Sequence, residues 1–430
     1  MIVTQEEYIN PTQSFVDYKT LRAFNIFWLG FIIYTAAYVL FTAMETKLFL
    51  NKIQLVGLAL LFFGTISLIR FKFESQYLQI LYFLYTGWLV YTISRGFKFD
   101  RVFLFNNLFN AWYGLMPYFV PVVLLFPKNI FYLRKLFNAI VIVGVIFLVY
   151  CMMYRGQLLF SGEDLTSQAY MEIFSKTLSI PCGFLLLTYV YQPKGRRLFA
   201  FAVVMIALLL ALVRGRRAIT VMNLGYLIFF YFIYLYVNRV KFTTLVFSLF
   251  LVSLFALAGF KFYSANKKGT FSVLSSRLNE DTRSAVEVCF YDDMQTQDWI
   301  IGRGMLGQYY CPGVDEATTE NSFTDYRNMI ETDYLNIILK GGIISLVLVL
   351  LITIPAAIQG IFYSKNILSK AAGIWILFWI MDLYPATVTT FTLNYLIVWI
   401  CVGICYSRAI RKMPEEEVAS ALSGNIERPA

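Results

Sequence analysis

Three arginines stand close together at Arg214-Gly215-Arg216-Arg217, at the end of an apolar run. A charge near the hydrocarbon layer is expensive unless it snorkels to water or finds a partner. Guanidinium groups stay protonated and offer a planar fork to phosphate oxygens, so a pair or triplet of them suits a diphosphate without a metal ion. The alternative is plain interfacial anchoring, with a membrane topology different from the one read below. More arginines, Arg277, Arg283, Arg303 and Arg327, are spread over the long polar stretch that follows. A loop arginine is ordinarily just solvated, but Arg283 falls where a helix is predicted to begin, a place the helix dipole disfavours for a cation. At the far end of the stretch stands Glu331, with Tyr334 and Leu335 on what would be one helical face. A carboxylate partly removed from water can act as a general base on a hydroxyl. Helix-dipole complementarity explains an acid in a first turn equally well, and Asp333 reads as the more solvated neighbour and the better dipole partner.

What must position these residues is a membrane domain. The 430 residues are 59% hydrophobic, 18% aromatic and 14% charged, well short of the ~25% charged residues of ordinary soluble chains. Apolar runs long enough to cross a ~30 Å hydrocarbon layer recur along nearly the whole length. We read spans near 22–43, 49–69, 76–94, 103–126, 136–154, 171–191, 198–213, 218–237, 242–262, 332–361, 371–388 and 390–407. That is about twelve, all in a single polytopic domain, 1–430. The 171–191 run is interrupted by Glu172, Lys176 and Pro181. Met1 to Asp17 lacks the order of a cleavable signal, so the first span is expected to stay in the protein.

With the N-terminus inside, the inner segments from Lys19 to Arg428 hold eighteen Lys and Arg, and the short outer connectors hold nine. This bias places both termini in the cytoplasm. It puts Arg214 to Arg217 on the outer face, together with one large loop, 264–330, between the ninth and tenth spans. The formal charge of +10 comes from residues scattered in short connectors, a membrane pattern and not a nucleic-acid footprint.

Inside the loop, Asp281 to Met294 alternates at helical spacing, and Ser284-Ala285-Val286-Glu287 has the order of a capping box. A short amphipathic helix is predicted from about Arg283. Gly302-Arg303-Gly304-Met305-Leu306-Gly307 matches a dinucleotide fingerprint only formally, since no strand–helix–strand pattern flanks it; a tight turn is expected instead. Asp292, Asp293 and Asp298 lack a calcium-loop spacing and read as a solvated acidic face. Gly341-Gly342 is placed to kink the tenth span or to let a neighbour approach closely. The chain has six cysteines without a CxxC spacing and no histidine, so no metal site and no cofactor is predicted. Cys289 and Cys311 share the loop and could pair if it faces an oxidising compartment; two ordinary thiols are the alternative.

Taken together, Arg214-Gly215-Arg216-Arg217-Ala218, Ile301-Gly302-Arg303-Gly304 and Glu331-Thr332-Asp333-Tyr334-Leu335-Asn336 make the chain resemble the O-antigen polymerase and O-antigen ligase family of bacterial surface-polysaccharide enzymes. The organisation of nearly the whole chain shares the likeness, and the motifs lie in about its C-terminal half. Ligases usually carry a His-Asn pair at the last motif, where this chain has Glu331, which favours a polymerase. The resemblance implies an all-α integral membrane protein of the lipid-sugar glycosyltransferase (GT-C-like) type in the bacterial inner membrane, its active site facing the periplasm. It implies an undecaprenyl-diphosphate-linked oligosaccharide as donor, a second lipid-linked repeat unit as acceptor, and a chain-length regulator as a further partner. Catalytic roles would fall to Glu331, Arg217 and Arg283, and substrate contacts to Arg214, Arg216, Arg277, Arg303, Arg327 and Tyr334. A ligase acting on a lipid core is one alternative. A transporter or flippase for lipid-linked sugars is another, although no internal repeat of the kind common in transporters is found.

Overall fold

A computed structural model describes residues 17–43, 47–160, 165–239, 257, 261, 263–266, 274–275, 283–312 and 325–423. In chain order its helices are α1 (Tyr18–Ala43), α2 (Lys47–Leu68), α3 (Gln76–Ser94), α4 (Arg101–Leu108), α5 (Ile130–Met153), α6 (Arg155–Phe160), α7 (Leu165–Phe174), α8 (Cys182–Leu187), α9 (Lys194–Val213) and α10 (Arg217–Val237). After them come α11 (Ser284–Asp293), α12 (Thr296–Ile301), α13 (Asp333–Phe362), α14 (Ile367–Asp382), α15 (Leu393–Tyr406), α16 (Arg408–Lys412) and α17 (Glu415–Ser423). Among the described residues the only sheet is an antiparallel ribbon of β1 (Tyr309–Tyr310) and β2 (Tyr326–Arg327). Among the described residues six helices are long and apolar enough to cross a membrane: Tyr18–Thr42, Phe49–Leu68, Ile130–Met153, Lys194–Val213, Arg217–Val237 and Asp333–Phe362. The chain is an all-α membrane protein. Of the predicted 242–262 span only residues 257 and 261 are among the described residues, and the rest lies outside them.

Polar residues at the ends of the apolar runs start several helices. Ser75 accepts from the Leu78 amide, Asn129 from Phe131 and Asn366 from Ser369, each satisfying one of the amide donors left over in a first helical turn. These caps explain why α3, α5 and α14 begin where charge gives way to hydrophobicity.

Two of the predicted spans are not continuous helices. The 103–126 run is broken: α4 stops at Leu108, residues 109–115 form turns, and a 3-10 helix runs over Met116–Leu125. Asparagine chemistry and proline explain the break. The Asn110 Oδ1 accepts from the amides of Trp112 and Tyr113, both at 3.0 Å, and Pro117 and Pro121 lack an N–H for an α-helical ladder. Irregular backbone at membrane depth must have its carbonyls satisfied by protein. Tyr34 donates to the Leu108 carbonyl, Gln54 to Phe109, and the Phe391 amide to Ala111.

The 171–191 run is likewise divided into α7, a π-helical turn over Ser175–Ser179, α8 and a last 3-10 turn at Tyr189–Tyr191. The Ile180 amide reaches back to the Ser175 carbonyl across the wider π turn, and Pro181 follows. Such bulges concentrate at functional sites, and this one sits beside Glu172 and Lys176.

The long loop has its own small core. Val286, Phe290, Met294, Tyr309 and Ile330 pack against Leu335 and Leu339 of α13, and Cys289 is disulfide-bonded to Cys311. The helix expected near Arg283 is α11. The capping box read into Ser284-Ala285-Val286-Glu287 does not form: no side chain caps α11, and Glu287 instead accepts from the Thr332 hydroxyl at 2.5 Å.

The Gly302–Gly304 turn closes the loop onto α13. Gly342 takes φ +69° in the middle of that helix and breaks its ladder. The freed carbonyls of Leu339 and Lys340 are met by the amides of Arg303 and Gly304, at 2.7 and 2.9 Å. A β-carbon on Gly342 would lie 2.0 Å from the Ile300 carbonyl oxygen. The glycine pair therefore both kinks the helix and admits its neighbour.

Candidate functional site

A cavity of about 180 Å³ opens where six separate segments converge. Trp112 and Tyr113 come from the broken segment, Glu172 and Lys176 from α7 and its π turn, and Gly215 to Ile219 from the start of α10. Arg283 enters from the foot of α11, Met329 and Glu331 from the approach to α13, and Pro385 to Thr387 from the turn after α14. The structure thus brings Arg216, Arg217, Arg283 and Glu331 to one place, although they are distant in sequence.

The charges in this cavity do not cancel. Among the described residues its lining carries four cations, Lys176, Arg216, Arg217 and Arg283, against two carboxylates, Glu172 and Glu331, a surplus of two positive charges. Glu172 is bonded to both Lys176, at 2.5 Å, and Arg216, at 2.9 Å. Lys176 also sits over the Trp112 ring, 5.2 Å from its centre. Arg283 donates to the Pro385 carbonyl at 2.6 Å and makes a long 3.5 Å contact with Glu331. The Glu331 side chain keeps 59% of its surface exposed.

Arg217 differs from the rest. Its guanidinium is half-buried on the cavity wall and has no hydrogen-bond or ion-pair partner among the described residues. It is also the first residue of α10, whose N-terminus no side chain caps. A helix N-terminus carries partial positive charge and unpaired amides, and so attracts anions. Gly215, at φ +61°, lets the chain turn tightly between α9 and α10 so that Arg216 and Arg217 face the same space.

Several of the predicted site residues lie elsewhere. Arg214 is 2% exposed, does not line the cavity, and donates to the backbone carbonyls of Leu158 and Gln157. Arg303 clamps the loop: it is bonded to the Asp293 and Asp298 carboxylates and to the carbonyls of Asp293 and Gln308. Burial works against the charge on Arg303, but the hydrogen bonds and charges of Asp298 and Asp293 outweigh it and push its pKa up further. Asp293 and Asp298 are therefore the anchors of this clamp and not a solvated acidic face. Arg327 lies in β2, opposite Tyr309. Tyr334 stacks near Tyr384, with ring centres 6.4 Å apart. Arg277 is outside the described residues.

Glu331 and Asp333 exchange the environments expected of them. Asp333 is fully buried, and its carboxylate accepts from the amides of Val388 and Thr389 and from the Thr389 hydroxyl, at 2.7 to 2.9 Å. It pins the 385–389 turn against the start of α13. Glu331 precedes the Thr332 N-cap and so shares no helical face with Tyr334 and Leu335.

Glu172 and Lys176 were legible only as interruptions of an apolar run. An ionisable residue within a membrane span is by default a functional candidate, and that rule singles both of them out.

Arg303→Ala is expected to destabilise the folded loop by on the order of 2 kcal/mol, because it strips two partly buried carboxylates of their charged donor and leaves them only the amides of Tyr310 and Gln295. Thermal unfolding of the purified variant checks this; an unchanged melting temperature would detach Arg303 from a clamping role.

The chain matches no protein-family model, no curated protein and no solved structure.

Proposed function

We propose that the chain is a surface-polysaccharide polymerase, transferring an oligosaccharide from undecaprenyl diphosphate to a sugar hydroxyl of a second lipid-linked repeat unit. The observation that carries this reading is the surplus of two positive charges among the described residues, with no partner for the Arg217 side chain among them, in a cavity that also holds an exposed carboxylate. A sugar–diphosphate–lipid diester bears two negative charges, which match that surplus. In this reading the chain has about twelve spans of the GT-C-like arrangement, lies in the bacterial inner membrane and opens its site to the periplasm.

In the reaction, the bond between the anomeric carbon and the phosphate oxygen breaks, and its electron pair stays with the diphosphate. Arg217 and Arg216 hold that diphosphate and stabilise the charge as it develops on the leaving oxygen, a role that preorganised donors fill. Arg283 leaves its long contact with Glu331 for the phosphate, freeing the carboxylate. Glu331 then takes the proton of the acceptor hydroxyl as the oxygen joins the anomeric carbon.

The direct test incubates the purified chain in nanodiscs with lipid-linked repeat units and resolves the products by length on a gel. A ladder of longer chains is expected from the wild type and none from Glu331→Gln, with donor binding retained. Glycan appearing on the far side of the bilayer at unchanged length would identify a transporter and sink the polymerase reading. A full-length ladder from Glu331→Gln would remove that residue from proton transfer.

A further inference from the structure

The cationic cavity adjoins a larger one of about 330 Å³, and Trp112 and Tyr113 line both. We infer that this second cavity is a subsite for an uncharged oligosaccharide, the acceptor glycan, gripped by carboxamides and aromatic faces. Its role as acceptor site rests on the polymerase reading; its preference for a neutral glycan rests on its own lining.

That lining is unusual for a chain so apolar. Six carboxamides surround one space: Asn106, Asn107 and Asn110 from the broken segment, Gln308 and Asn328 from the loop, and Asn336 from α13. The carboxamides of Asn106, Gln308 and Asn328 make no hydrogen bond among the described residues. The Asn336 Oδ1 is a buried acceptor, also without a partner among them. An unpaired buried acceptor is costly, and a ligand donor would relieve it.

The ligand's chemistry follows from the charges that are missing. Among the described residues no carboxylate lines this cavity, and the one cation, Lys340, already donates to the carbonyls of Gly307 and Asn328 at 2.8 and 2.6 Å. A phosphate or an acidic sugar would find little to neutralise it here. Each carboxamide both donates and accepts, as a sugar hydroxyl does. Tyr118 and Tyr395 add aromatic surface of the kind on which the C–H face of a pyranose packs. The shared Trp112–Tyr113 wall sets the two cavities side by side, so a glycan held in one would present its end toward the carboxylate and diphosphate of the other.

The test uses the full chain in nanodiscs and the free repeat-unit oligosaccharide, released by mild acid from the lipid-linked pool of the producing cells. Saturable binding by calorimetry is expected, and it should weaken about 10-fold or more in the double variant Asn106→Leu/Asn328→Leu, since each lost hydrogen bond is worth roughly 1 kcal/mol. Both positions are exposed, so folding is not at stake as it is for Asn336→Leu. Arg283→Ala should leave this binding unchanged, and in elongation assays the amide variants should raise KM for the acceptor with kcat retained. No saturable binding, a repeat unit that proves acidic, or an unchanged acceptor KM in the amide variants would overturn the subsite even if the wild type elongates chains. Amide-dependent binding by a protein that makes no ladder would instead keep the subsite and end the polymerase reading.

Discussion

Arg217→Ala is expected to lower chain elongation by about 100- to 1,000-fold, the range found when one preorganised donor to a developing charge is removed. The folded protein should not suffer. Arg217 has no side-chain partner among the described residues, and deleting a cation from the first turn of α10 relieves an unfavourable dipole contact. The melting temperature should therefore hold or rise slightly while activity collapses. Arg217→Lys keeps the charge but loses the fork that grips two oxygens together, so it should fall between alanine and wild type. Gel assay of elongation and thermal unfolding of the same preparations decide the matter. A variant that keeps wild-type elongation, or that loses activity only because it unfolds, would take Arg217 out of the chemistry.

Gly342→Val should have the second large effect, by a different route. The left-handed backbone at φ +69° disfavours a β-branched residue, and the new β-carbon would sit 2.0 Å from the Ile300 carbonyl oxygen. Strain of this kind costs about 1–3 kcal/mol before any clash is counted. The helix can escape only by releasing the Gly302–Gly304 turn, which would strip the Leu339 and Lys340 carbonyls of their donors. Since Glu331 and Arg283 reach the cavity through the loop so anchored, elongation should fall to background. Limited proteolysis should cut the 302–308 segment, which in the wild type is tied to α13 by the Arg303 and Gly304 amides and should resist cleavage. Gly87→Val is the control, because a β-carbon at Gly87 meets no atom within 4 Å. Protection of the turn in Gly342→Val would refute this coupling of loop and helix.

How much of this could be read from the chain alone depended on local chemistry. The 76–94 span coincides with α3 because Ser75 caps it and charge follows it. The α11 start near Arg283 and the Gly302–Gly304 turn were likewise local. Arg217, Arg283 and Glu331 stood out because charged groups are scarce in so apolar a sequence. The break at 109–115 was hidden because its residues are apolar enough for a span. Its stability comes from Tyr34, Gln54 and Phe391, far away in sequence. Burial of Asp333 was invisible for the same reason, since its donors at Val388 and Thr389 belong to another turn. Arg214 and Arg216 are near neighbours in a short motif, yet one is bound to the backbone of 157–158 and the other to Glu172. Spacing cannot separate them.

The uncompensated positive charge of the cavity has a consequence for turnover. In the proposed polymerase reaction, once the glycan had left, the lipid diphosphate would no longer be a diester, and its freed terminal phosphate, ionising again near pH 6 as phosphate monoesters do, would add negative charge at neutral pH. The spent carrier would then sit more tightly among Lys176, Arg216, Arg217 and Arg283 than the loaded donor did. Departure of the carrier would set the pace of each cycle, and the bare lipid diphosphate would be a stronger competitor than any fragment of the glycan.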